Sequence, residues 1–253
     1  MTLIHQTLQF IFGVSILTKN IWVELWSKPF HLRLTLNQIY EIGYKSWPII
    51  FVTAASTGLV LSLQFGFTLE KYGLKMYTPR LISIALFREI APVFTAFVLA
   101  GRVGAGMTAE ISSMKVTQQI DAIRALGSSP IKLIVIPRVL GSVLSIPFLT
   151  LFSCAISYVF SALTSVYQLD ISIGMFTSRF FNKVLLLDFL SGFTKTFVFA
   201  YLIAISACYF GMSASQKKEG VGEVTTLAVV SSSIMIVISD FVLTWIFFLL
   251  WLK

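Results

Sequence analysis

Five stretches of this chain run for about twenty residues or more with almost no charge: 49–69, 81–101, 139–169, 189–212 and 227–252. A helix needs roughly 20 apolar residues to cross the ~30 Å hydrocarbon core of a bilayer. Inside that core only helices and closed barrels can satisfy their own backbone polar groups. Composition agrees, with 57% hydrophobic and 12% charged residues, where soluble domains carry about 25% charged. The chain reads as one all-α integral membrane protein, and a soluble enzyme or a nucleic-acid binder is excluded. The net charge of +8 fits basic loops on one side of a membrane, and no basic run interleaved with aromatics accompanies it.

Residues 1–47 are mixed. The segment 3–26 is apolar but broken by Gln6, Gln9, Lys19, Asn20 and Glu24, and Trp22 and Trp26 stand four apart. That pattern suits a helix lying on the membrane surface, with a weak extra span as the other reading. Pro29 interrupts, and Leu32, Leu36, Ile39 and Tyr40 then predict a short amphipathic helix ahead of the first span. The expected organisation is an interfacial helical segment over 1–47 and a five-span domain over 48–253. The third span exceeds one straight crossing, so tilt, a kink at Pro147 or extension beyond the bilayer is expected. Counting Lys and Arg with the N-terminus inside gives eleven against six, which predicts a cytoplasmic N-terminus. The chain start lacks a basic segment and a cleavage pattern, so the first span is expected to serve as the insertion signal. Cys154 and Cys208 fall in apolar spans and read as packing residues, and no metal-ligand spacing occurs.

Four charges interrupt the spans: Arg88, Glu89, Lys195 and Asp240. Each costs roughly 2.5–3.5 kcal/mol at a helix centre, against a gain of about 0.3–0.6 for a Leu or Phe. Two are positive and two negative, so the four are expected to lie together and neutralise one another. Three roles remain open for them: structural pairs, a gating switch, or contact with a charged headgroup.

Between the second and third spans, residues 107–137 carry Ile111 and Met114 on one face and Val116, Ile120 and Ile123 at helical spacing. Glu110, Lys115, Gln118, Asp121 and Arg124 occupy the remainder. An amphipathic helix follows, stopped by Gly127 and succeeded by a helix capped by Ser129 with Pro130 first. It is either a docking surface for a soluble partner or a plain connector. Ala96, Ala100 and Gly104, four apart, predict close helix packing. GRVGAG at 101–106 has the wrong glycine spacing for a dinucleotide loop, and no P-loop occurs. Any ATP must therefore be handled by another subunit.

LFREIAP at 86–92, AGRVGAGMTAEI at 100–111, MKVTQQIDAI at 114–123, Pro137-Arg138 and SDFVLT at 239–244 together resemble the MlaE (YrbE) permease family, over nearly the whole chain. The resemblance implies an interfacial helix plus five spans, as a homodimer. It implies a membrane subunit of an ABC transporter moving phospholipid or related lipid between inner and outer membranes. A cytoplasmic ABC ATPase would supply ATP hydrolysis and an MCE-domain protein would stand on the outer side, in a bacterial inner membrane or a plastid inner envelope. By that resemblance the coupling helix lies at about 108–127, with Glu110, Met114, Lys115, Gln118, Asp121 and Arg124. The family's intramembrane charges match Glu89, Lys195 and Asp240. Leu61, Gln64, Phe65, Leu69 and Tyr72 would line the lipid cavity, although Glu70 and Lys71 make its lip more charged than the family pattern. The other functional reading is a non-transporting membrane anchor of a lipid-binding complex; an ion-coupled carrier is the third. No cofactor is expected on the chain itself, and no enzymatic activity.

Overall fold

The computed structural model describes residues 2–26, 31–181, 186–214 and 220–251. Pro29 and the basic residues Lys28, Lys183, Lys217, Lys218 and Lys253 used in the charge count lie outside them. Every regular element among the described residues is helical. Helix α1 is Thr2–Leu25 and α2 is Leu32–Glu70. The compound rod α3, Lys75–Val116, begins with a single tight turn, Lys75–Tyr77. Two wide π-turns interrupt it at Leu86–Ile90 and Ala100–Gly104. Helix α4 is Gln119–Ala125. Helix α5, Ile131–Leu169, opens on a third wide turn at Ile131–Val135. Short α6 is Ile173–Phe181, α7 is Leu186–Ser213 and α8 is Val221–Trp251.

Among the described residues, six helices are long and apolar enough to cross a membrane. The first is marginal, with a mean hydropathy of 1.2 against 1.7 to 2.1 for the rest. Its contacts gather at one end of the bundle. Leu17 and Ile21 pack with Ile111, Ile120, Val135 and Ala204. The Tyr201 hydroxyl donates to Thr18 at 2.7 Å, and Ser129 donates to Glu24 at 2.5 Å.

Helices α2 and α5 run parallel in a fixed register. Ser62 and Ser165 share a hydrogen bond of 2.7 Å, and the Ser157 hydroxyl donates to the Ala54 carbonyl at 2.8 Å; both pairs are 103 residues apart. Gly141 meets Gln38 and Gly66 meets Leu169 with the same offset. Small residues make this approach possible: Ala54, Gly58, Ser62 and Gly66 face Ser153, Ser157, Ser161 and Ser165. A Cβ on Gly58 would stand 2.3 Å from the Ser157 carbonyl oxygen, so only glycine admits that contact. Helices α3 and α7 are also parallel: Thr108 donates to the Ala207 carbonyl, and Gly211 abuts Ile111. This pairing is what chains alternating in direction through a bilayer produce.

Three sequence expectations are corrected. The amphipathic segment before the first span is not a separate helix, because α2 runs unbroken from Leu32 through Pro48. The single amphipathic helix expected over about 108–127 is two helices. The chain breaks at Thr117 and Gln118, and Gln118 adopts a left-handed φ of 61°. Ser129 does not cap the next helix, since its hydroxyl is committed to Glu24. Gly127 does close α4, with a φ of +73°, a conformation glycine adopts without strain. The long third span continues helically through Pro147, and its 34 α-helical residues would extend about 51 Å, well beyond one hydrocarbon core.

Candidate functional site

The wide turn at Leu86–Ile90 contains Arg88 and Glu89 and precedes Pro92. Such turns interrupt the α-helical hydrogen-bond ladder, and proline removes a further donor. Gly192 of α7 lies directly against the Phe87 carbonyl of this turn; a Cβ there would sit 1.9 Å from the oxygen. The bare glycine thus lets the two backbones touch, and the charged side chains meet beside that contact.

Lys195 is 1% exposed. Its ammonium donates to Glu89 Oε2 at 2.6 Å, to Asp240 Oδ1 at 2.8 Å and to Thr244 Oγ1 at 2.7 Å. The Thr244 hydroxyl donates onward to Glu89 Oε1 at 3.2 Å. An ammonium has three donors, and all three are used. The network ties α3, α7 and α8 at one level. It is asymmetric in burial: the side chains of Glu89 and Asp240 are 40% and 23% exposed, whereas the lysine is sealed. One ammonium thus serves two carboxyl groups.

Arg88 does not join the other three. Its Nε lies 2.7 Å from Asp188 Oδ1, a buried carboxylate near the start of α7. The expectation that four charges neutralise one another is therefore corrected: the structure gathers three and gives the fourth a separate partner. Asp188 escaped the sequence reading because it borders the fourth span. The missed signal was spacing, since Asp188, Gly192 and Lys195 stand at i, i+4 and i+7 on one helical face.

The residues assigned to coupling fall into two groups. Glu110 pairs with the buried Arg138 at 2.7 Å, fastening α3 to α5. Half-buried Lys115 and exposed Asp121 and Arg124 form an ionic cluster across the α3–α4 break, with separations of 3.0 and 3.8 Å. Met114 packs against the cluster containing Ile120 and Ile134, and Gln118 stands exposed at the break. Among the lipid-cavity candidates, Leu61 turns into the interior of the chain's own bundle with Ile82, Leu86 and Phe176, and Phe65 packs on the same cluster. As placed, the Leu61 side chain is not a wall residue on an outer face. Gln64 and Tyr72 are exposed and Leu69 is half-buried; Val60 and Phe67 continue the outward face of α2. Ala96 and Ala100 are fully buried against Phe199, Ala200 and Ile203, and a Cβ on Gly104 would touch Ile203 at 3.4 Å. That seam lies within the single chain.

This arrangement defines a multi-pass helical membrane protein organised around an ionic triad, with a charged helical elbow at one end. The family model described as "Permease MlaE" matches residues 35–246, and the chain belongs to that family of ABC transporter permeases. It is 37% identical over 220 residues to a probable ABC transporter permease protein of Rickettsia conorii, covering 87% of this chain and 85% of that one. A probable ABC transporter permease protein of Synechocystis is 36% identical over 232 residues, 92% of this chain and 88% of the relative. The chloroplastic protein trigalactosyldiacylglycerol 1 of Arabidopsis thaliana is 34% identical over 236 residues, 93% of this chain and 67% of the relative. A permease subunit of this class is not itself catalytic.

Proposed function

We propose that this permease moves phospholipid or a related lipid between inner and outer membranes. In this reading it works as a homodimer, driven by a cytoplasmic ABC ATPase pair and capped on the opposite side by an MCE-domain protein. The observation that carries the reading is the family match across residues 35–246, supported by a chloroplast relative whose name contains a galactolipid. The α3–α4 elbow is the docking surface: its exposed Asp121 and Arg124, with half-buried Lys115 beside them, present charge to a soluble partner at the end where α1 is also fastened. Helix α1 lies along the interface and α2 to α8 supply five crossings, with the N-terminus cytoplasmic. The host membrane is a bacterial inner membrane or a plastid inner envelope. Lipid passes along the outward face of α2, past Gln64, Leu69 and Tyr72, between two copies. The triad holds α3, α7 and α8 together, and its half-exposed acids can change partners as the helices move.

The test is reconstitution of the chain with its co-purified ATPase in vesicles containing fluorescent phospholipid. ATP-dependent lipid movement supports the reading. Lipid binding without any ATP-dependent movement would favour a static anchor of a lipid-binding complex. Failure to associate with an ATPase would remove the ABC mechanism.

A further inference from the structure

A groove of about 570 Å³ opens between α2 and α3 at the elbow end of the bundle, within the roughly 300–1,000 Å³ typical of small-molecule sites. Gln38, Glu41 and Ile42 line it from α2; Arg102, Gly106 and Glu110 line it from α3. It is separate from the outward face of α2 near Gln64 and from the ionic triad. Its charges are arranged unequally. Glu41 is matched by Lys45 at 2.6 Å, and Glu110 by Arg138 at 2.7 Å. Arg102 makes a hydrogen bond of 2.6 Å to the buried Ser46 hydroxyl and has no carboxylate within ion-pair distance among the described residues. The groove therefore carries one uncompensated positive charge. Ser46 occupies one of the guanidinium's five donors and fixes the side chain's position.

Gly106 adds a second observation. A Cβ there would meet nothing within 4 Å, and its φ needs no glycine. Neither packing nor backbone strain requires a glycine, which is a poor helix former. Its effect is to leave bare helix backbone on the groove wall and keep the groove open.

Depth identifies the ligand class. Arg102 follows the apolar stretch 81–101, and Ser46 precedes the stretch 49–69, so their contact sits at the membrane–water boundary. Exposed Tyr44 and Trp47 flank the same level, as aromatic side chains do at headgroup depth. The anion abundant at that depth is a lipid phosphodiester. Its single negative charge matches the groove's single surplus positive charge, and a guanidinium binds phosphate oxygens in a bidentate manner. We propose that the groove holds the phosphodiester headgroup of a membrane phospholipid, with Arg102 as the phosphate anchor. The inference requires only that the chain sits in a bilayer, and no transport step enters it.

The test uses the full chain in phosphatidylcholine vesicles containing about one per cent of a phospholipid with a photoreactive group beside its phosphate, followed by peptide mapping. Adducts are expected on peptides spanning 38–46 and 101–110. Arg102→Gln and Gly106→Leu should each lower that labelling at least fivefold, and Arg102→Lys, which keeps the charge but not the bidentate fork, should fall between wild type and Arg102→Gln. Labelling near residues 64–72 should stay unchanged in all three, which separates this site from the proposed lipid route and reports correct folding. Inorganic phosphate at millimolar concentration should not compete; full competition would mark a free-anion site and overturn the lipid assignment. Equal labelling in wild type, Arg102→Gln and Gly106→Leu overturns the proposal. Crosslinks from 101–110 to a second copy in place of lipid would show the groove filled by protein and overturn it as well.

Discussion

A buried lysine held by two acids gives the sharpest expectations at the scale of single residues. Lys195→Met removes the cation and leaves Glu89 and Asp240 facing each other. Removing one member of a buried pair destabilises by about 3–5 kcal/mol, so the variant should unfold at a clearly lower temperature in detergent and lose the proposed ATP-driven lipid transfer. Lys195→Glu should be inactive too, with partial recovery when Glu89→Lys is added. Wild-type melting and activity in Lys195→Met would remove the triad from any account of this protein. Gly192→Ala tests the backbone contact beside it. Its methyl group has no room against the Phe87 carbonyl, whereas the same change at Gly101 meets nothing within 4 Å; only the first should lower expression and stability. Glu89, Lys195 and Asp240 were legible because charges are so unfavourable within apolar runs. The split between Arg88 and the other three was not. Adjacent residues on a helix point to different sides, and the wide turn that aims them leaves no mark in hydrophobic periodicity.

Helical elements separate structural charges from docking charges. Glu110→Gln leaves the nearly buried Arg138 guanidinium without its carboxylate, so thermal stability should fall measurably before any partner is added. Arg124→Gln alters an exposed residue, and exposed pairs contribute about 0–1 kcal/mol. It should melt like wild type and yet weaken stimulation of the partner ATPase. Equal melting of both variants would contradict the clamp role given to Glu110. The elbow's existence could be read from Gly127 and the amphipathic spacing. Its break could not, because Thr117 and Gln118 carry no glycine or proline to announce a left-handed residue. The merger of two expected helices into α2 was hidden for a related reason: Pro48 signals an interruption locally, while α2 packs along α5 on both sides of it.

At the scale of the molecule, the pairing of α2 with α5 should behave as one rigid unit. Cysteines at positions 62 and 165, oxidised to a crosslink, are expected to leave the proposed ATP-driven lipid movement intact. A crosslink joining α8 to α7 beside residue 195 should arrest it. Loss of activity in the first case would show that the seam slides during the cycle. The five apolar stretches made the architecture evident from sequence, since hydrocarbon leaves so few solutions. The partners of each stretch were less evident. Ala54, Gly58, Ser62 and Gly66 opposite Ser153, Ser157, Ser161 and Ser165 are two ladders of small residues four apart, and neither differs from its surroundings in hydropathy.

That shared ladder has a mechanical consequence. Its rungs interlock at one alignment, so the two rods cannot creep past each other by small increments; the next matching alignment lies a full helical turn away. They form a plank on which the softer parts of the chain can pivot. Any movement imposed through the proposed docking elbow is then expected where rungs are missing, along the sparsely covered α8.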